Sequence, residues 1–128
     1  RTAHQFGMLT TPYAFNESEA EQMADAGADI LVAHMGLTTK GSIGAKTALT
    51  LEEAAKRVQA IHDAAKPVNP DILVICHGGP IAEPTDAQYI LDHTKGVVGF
   101  YGASSAERLP TERAITAQIE SFKSIRFS

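Results

Sequence analysis

Two histidines close two apolar runs. His34 follows Ile30-Leu31-Val32-Ala33, and His77 follows Ile72-Leu73-Val74-Ile75-Cys76. Set side by side as parallel strands, these runs place the imidazoles one strand spacing apart, about 5 Å at the backbone. Imidazole titrates near neutrality, so such a pair suits acid–base work: protonating an enolate carbon, or activating water. Two other readings stand beside this one. Each ring can be a structural group hydrogen-bonded between strand and loop. Alternatively the two can be ligands of a divalent metal whose carboxylates come from elsewhere, since no acidic residue adjoins either histidine.

Groups suited to an anion cluster at the same points of the pattern. Gly78 and Gly79 follow His77 directly, and without Cβ atoms their amides can approach a ligand closely. Ser104 and Ser105 lie in the turn after Val97–Tyr101, ahead of a helical turn at Ala106 to Leu109 whose N-terminus favours negative charge. Either serine can equally be a plain helix cap. Thr10 and Thr11 follow the apolar Phe6-Gly7-Met8-Leu9 and offer two hydroxyls. The segment from Met35 to Leu49 is long for a connection of this kind and reads as a lid or binding loop. Within it Lys40 and Ser42 stand among Gly36, Gly41 and Gly44, placed to close over a carboxylate or phosphate, with Lys46 a weaker candidate. Arg108 is a candidate carboxylate clamp with Glu107 as its partner and Glu83 nearby, a surface ion pair being the alternative. Cys76, at the end of a buried-looking run, reads as core rather than nucleophile.

The elements that must hold these residues repeat one sentence four times: apolar strand, turn, capped helix. Phe6–Leu9 is the first expected strand. Asn16 and Glu19 then form a capping box for a helix that runs to about Ala26, with Gly27 ending it and Ala20, Met23 and Ala24 as its apolar stripe. Asp29–His34 is the second strand. Thr50 and Glu53 cap the next helix, in which Ala54, Val58, Ile61 and Ala65 share one face and which Pro67 and Pro70 stop. The third unit is the strand ending at His77 plus a helix from about Thr85 to Asp92, with Pro84 in its first turn. The fourth is Val97–Tyr101, then a helix starting at Pro110 with Ile115, Gln118, Ile119 and Phe122 on one face. Four such units with right-handed crossovers give four parallel strands in sequential order. Half of a (β/α)8 barrel fits this best, and there the strand ends converge on one mouth. A doubly wound open sheet is the alternative. It usually carries a glycine-rich fingerprint after its first strand, where Phe6 to Phe15 holds only Gly7.

Composition narrows the class. The 128 residues are 44% hydrophobic and 20% charged, ordinary for one globular domain. A net charge of -4 without a Lys/Arg cluster argues against nucleic acid. The apolar runs are too short to span a bilayer. A single cysteine fits a reducing, cytoplasmic setting. The start at Arg1-Thr2-Ala3-His4 reads as a cut within a longer protein.

At Thr10-Thr11-Pro12-Tyr13, Ala33-His34-Met35-Gly36-Leu37-Thr38-Thr39, Gly41-Ser42-Ile43-Gly44-Ala45, Cys76-His77-Gly78-Gly79-Pro80 and Gly99-Phe100-Tyr101-Gly102-Ala103-Ser104-Ser105, the chain resembles the phosphoenolpyruvate hydrolase-like TIM-barrel family. A domain of this kind forms the C-terminal part of plant tobamovirus-resistance proteins and their fungal and bacterial relatives. The resemblance runs from about Phe6 to Phe122. It implies that these strands are five to eight of a barrel whose first four lie elsewhere, so the missing N-terminal half-barrel is an expected partner and homo-oligomerisation is expected of the exposed edges. It also implies a small anionic substrate, a phosphorylated or phosphonate carboxylic acid such as phosphoenolpyruvate, cleaved by hydrolysis or a lyase step. A ligand-sensing or protein-interaction module without turnover is the alternative.

Overall fold

The computed structural model describes residues 1–42, 44–45 and 49–126. Among them the chain runs α1 (Thr2–Gln5), β1 (Tyr13–Ala14), α2 (Glu17–Asp25), β2 (Ile30–His34), α3 (Leu51–Ala65), β3 (Leu73–His77), α4 (Pro84–Asp92), β4 (Val97–Phe100) and α5 (Arg108–Lys123). The strands form one parallel sheet in the order β1-β2-β3-β4. Sequential order follows from right-handed crossovers that always step the same way.

Alternation along the strands separates two faces. Leu31, Ala33, Val74 and Cys76 are fully buried against the helices, where they meet Ala20 and Ala24 of α2 and Ala54, Val58, Ile61 and Ala65 of α3. Small side chains at those helix positions bring the helices close to the sheet, and burying each larger aliphatic contributes about 1.5–3 kcal/mol. The expected caps form here: Asn16 accepts from the Glu19 N–H, and Thr50 and Glu53 close a reciprocal box. The other face carries Tyr13, Leu73, Val98 and Tyr101, all exposed. A doubly wound sheet has helices on both faces; this one has them on one, and the bare face is apolar and aromatic, as the lining of an opened barrel is. The fold is a half-barrel-like (β/α)4 unit.

Two boundaries differ from expectation. The first strand is not Phe6–Leu9: Phe6 and Leu9 are exposed, Gly7 turns the chain at φ 67°, and the segment that lies beside β2 comes later. The Thr10 carbonyl accepts from Ile30 N–H and the Pro12 carbonyl from Val32 N–H. Pro12 supplies no N–H in return, so the regular ladder shrinks to Tyr13–Ala14. The second difference lies at α5, which begins at Arg108, with Pro110 inside its first turn. An N–H there has no helical partner in any case, so proline is tolerated. The expected separate turn at Ala106 to Leu109 runs straight into the helix through bonds from the Arg108 and Leu109 N–H groups to the Ser104 carbonyl.

Candidate active site

β2 and β3 pair in register over their whole length, Ile30 opposite Leu73 and His34 opposite His77. That register brings the two imidazoles to a ring separation of 4.8 Å at 77°. Both rings lie half-buried at the C-terminal strand ends, and each uses Nδ1 on the backbone. The Gly36 N–H donates to His34 Nδ1 at 3.0 Å, and His77 Nδ1 lies 2.6 Å from the Tyr101 carbonyl oxygen. Burial, and next the neighbouring His77, hold the His34 imidazole below the usual histidine range.

The rings sit in an aromatic surround that sequence reasoning missed. Tyr13 is centred 4.8 Å from His34 and 5.2 Å from His77, Phe15 is 4.7 Å from His34, and Tyr101 is 5.9 Å from His77. Tyr13 was hidden by the misplaced first strand. Once β1 is read as Tyr13–Ala14, alternation sends Ala14 to the helices and Tyr13 to the bare face. Phe15 follows two residues on.

Several residues proposed for an anion are otherwise engaged. Thr10 and Thr11 lie at the opposite end of the strand, because the segment from Thr10 to Ala14 runs towards the mouth rather than away from it. There the Thr10 amide and hydroxyl donate to Asp29 at 2.8 and 2.7 Å, and His4 Nε2 also contacts that carboxylate. These bonds, led by the Thr10 hydroxyl, hold the Asp29 carboxyl well below the usual carboxylate range. Gly78 and Gly79 are buried in left-handed backbone, at φ 76° and 59°. A Cβ on either would lie 2.3 Å from a backbone oxygen, Gly36 or Met35 respectively, and the Gly79 N–H donates to the Gly36 carbonyl at 2.7 Å. The pair therefore serves the close approach of two loop backbones, and the Gly79 amide is engaged there.

Lys40 and Ser42 strap down the first part of the long loop, from Met35 to Ser42. Lys40 Nζ lies 2.7 Å from Asp86, which also accepts from the Ala82 and Glu83 amides at the start of α4. Burial alone would raise the Asp86 pKa; Lys40 and the two amides outweigh it and hold the group low. The Ser42 amide and hydroxyl donate to Glu112, both at 3.1 Å. Arg108 pairs with Glu112 at 2.8 Å, not with Glu107, and donates to the Lys40 carbonyl at 3.0 Å. Arg113 pairs with Glu83. Lys40, Ser42 and Arg108 thus clasp the loop to α4 and α5. Lys46 lies outside the described residues. Ser104 and Ser105 are at the same end of the sheet as the histidines, in the turn ahead of α5, and neither side chain caps that helix, whose N-cap is Glu107. The buried Cys76 thiol is pushed up to about 11 by desolvation, as an inert core cysteine should be. Among the described residues no group of three or more His, Cys, Asp or Glu is placed to hold a metal, and no helix is long and apolar enough to cross a membrane.

Parallel strands in sequence order, helices on one face and paired imidazoles at the C-terminal ends define an α/β half-barrel-like domain with a candidate acid–base mouth. The family described as phosphoenolpyruvate hydrolase-like matches residues 1–125, and the chain belongs to it. It is 65% identical over 124 residues to the ToMV susceptible protein tm-1(GCR26) of Solanum lycopersicum, covering 97% of this chain and 16% of that protein. It is 64% identical over 123 residues to the ToMV resistance protein Tm-1(GCR237) of the same plant, covering 96% and 16%. The chain thus spans about one sixth of these relatives. A structure of FabK from Thermotoga maritima aligns over 78% of this chain and 28% of that one, at TM-score 0.48 and 24% identity, too distant a likeness to add to the fold read from the strands.

Proposed function

We propose that these strands are five to eight of a (β/α)8 barrel, and that the His34–His77 mouth is the acid–base centre of an enzyme acting on a small phosphorylated or phosphonate-bearing carboxylic acid. Phosphoenolpyruvate is the first substrate to try, with hydrolysis or a lyase step as the reaction. The observation that carries this reading is the 4.8 Å approach of two imidazoles whose Nε2 atoms make no hydrogen bond among the described residues. Ring nitrogens left free at a barrel mouth are where proton transfer to a bound acid would occur. The anion would be met by the Ser104 and Ser105 turn and by groups of the other half-barrel, and any divalent metal would need ligands from there too. A cytoplasmic location belongs to the same reading, supported by the lone buried Cys76 thiol.

A second reading, a ligand-sensing or protein-interaction module without turnover, is favoured by one observation. Among the described residues, the cations around the mouth, Lys40, Arg108 and Arg113, are each paired with a carboxylate. The tomato relatives, named for tobamovirus resistance and susceptibility, point the same way. Pyruvate formation from phosphoenolpyruvate by the purified protein decides between them. Turnover that falls about 10²-fold in His77→Asn supports the enzyme; no turnover above the uncatalysed rate leaves the module.

A further inference from the structure

We infer that His34 and His77 are fixed in opposite neutral tautomers, so that the mouth presents one imidazole Nε2–H donor and one bare imidazole Nε2 acceptor. The division of labour drawn from this rests on the acid–base reading above; the tautomers themselves rest on the backbone. An amide N–H can only donate and a carbonyl oxygen can only accept. The Gly36 N–H at 3.0 Å therefore requires a lone pair on His34 Nδ1, which leaves its proton on Nε2. The Tyr101 carbonyl at 2.6 Å requires a proton on His77 Nδ1, which leaves its lone pair on Nε2.

Neither backbone partner is free to turn. The Met35 N–H donates to the His77 carbonyl at 2.8 Å and the Gly79 N–H to the Gly36 carbonyl at 2.7 Å, so the Met35-Gly36 peptide is bracketed on both sides. Gly78 and Gly79 permit this because any side chain there would strike Gly36 or Met35. Gly79 is thus a positioning residue for the His34 tautomer. The Tyr101 carbonyl is held likewise, since the Tyr101 N–H donates to the Cys76 carbonyl at 2.9 Å.

The two rings then differ in chemistry. Protonating His77 at Nε2 yields an imidazolium whose Nδ1–H still rests on a carbonyl, so this ring can accept and return a proton. Protonating His34 would place a proton on Nδ1 against the Gly36 N–H, so this ring stays neutral and acts as a hydrogen-bond donor to developing negative charge, as a neutral imidazole can. With phosphoenolpyruvate the balance closes on one proton. Water gives a proton to His77 Nε2 as its oxygen bonds to phosphorus. The bond between phosphorus and the enol oxygen breaks, its electron pair passing to that oxygen, where the His34 Nε2–H stabilises the enolate. His77 then returns its proton to the enolate carbon, leaving pyruvate and phosphate.

Long-range proton–nitrogen spectra of the purified protein, labelled with ¹⁵N at histidine and recorded above the ordinary histidine pKa, read the tautomers directly. His34→Gln and His77→Asn assign the signals. A bare Nδ1 with a protonated Nε2 for His34, and the reverse for His77, is the expected result; the same tautomer in both rings, or averaging between forms, overturns the inference. With phosphoenolpyruvate, His34→Gln, which keeps an N–H near the Nε2 position, should lose about 10-fold while His34→Asn loses about 10², the scale of one lost oxyanion donor. The rising limb of the pH–rate profile should survive in His34→Gln and vanish in His77→Asn. Its loss in His34→Gln instead would reverse the roles. Absence of turnover by the parent protein sinks the enzyme reading alone, because the spectra decide the tautomers without it.

Discussion

Asparagine carries an amide N–H near the place of an imidazole Nδ1, so His77→Asn keeps the bond to the Tyr101 carbonyl and removes only the outward nitrogen. The melting temperature should then barely move while turnover falls. His77→Ala removes the backbone bond as well and should cost about 1 kcal/mol, the usual net worth of such a bond. Equal loss of stability in the two variants would show that the bond plays no part. His34 adds a pH signature. Its folded pKa lies below the ordinary histidine value, so the unfolded chain binds the proton more readily. Stability from this group is complete above the ordinary value and is lost as pH falls from there towards the depressed one. The difference in stability between the parent and His34→Gln should be constant above the ordinary histidine value of about 6.5, and the parent should lose more as pH falls below it. An unchanged difference below that value would rule out a depressed His34.

At the scale of elements, the glycine pair and the loop clasp are structural devices that resemble binding devices in sequence. Gly79→Ala must hold a Cβ at φ 59° and 2.3 Å from the Met35 carbonyl, which should destabilise the protein by about 2 kcal/mol or more. A neutral Gly79→Ala, read by denaturant titration, would contradict the bracketed peptide. Asp86→Ala removes the acceptor for two amides at the start of α4 together with the Lys40 pair, and should cost about 1–3 kcal/mol. Lys40→Met loses only a half-exposed partner and should leave the melting temperature nearly unchanged while amide exchange quickens in the loop around Thr39. These elements also show what the sequence discloses. Strand ends, caps and the His34–His77 juxtaposition were legible because periodicity and register depend on nearest neighbours. The first strand was not, because Phe6–Leu9 has strand composition but no neighbour here to pair with, while Pro12 disguised the segment that does. The partners of Lys40 and Ser42 were not legible either, since Asp86 lies 46 residues from Lys40 and Glu112 lies 70 residues from Ser42. The Arg108–Glu112 pair, four residues apart on α5, was hidden only because the helix was expected to begin at Pro110. Spacing that would suit a phosphate clamp therefore turned out to suit a clasp.

The whole molecule presents more surface than its mass warrants. Its accessible area is 7994 Å² for 13.6 kDa, whereas a compact monomer of that size exposes about 6,600 Å². Buried against one partner, this excess of about 1,400 Å² would correspond to about 2,800 Å² over both surfaces, in the range of obligate interfaces. It is also apolar in the right places. Tyr13, Phe15, Leu73, Val98 and Tyr101 are exposed around the bare side of the sheet, and Ile115, Ile119 and Phe122 stand uncovered along α5, whose only buried residue is Leu109. Open parallel edges at β1 and β4 add unpaired ladders that barrel closure would satisfy. If the sheet is half of a closed barrel, this chain on its own should associate with copies of itself, and supplying the preceding four βα units should replace that association with a single closed domain. Sedimentation equilibrium tests the first part: a mass above that of one chain, lowered by Ile115→Glu with Ile119→Glu, is expected if α5 takes part. A monomer that unfolds cooperatively, with the sheet face protected from amide exchange, would show that the bare face needs no cover and would remove the half-barrel from consideration.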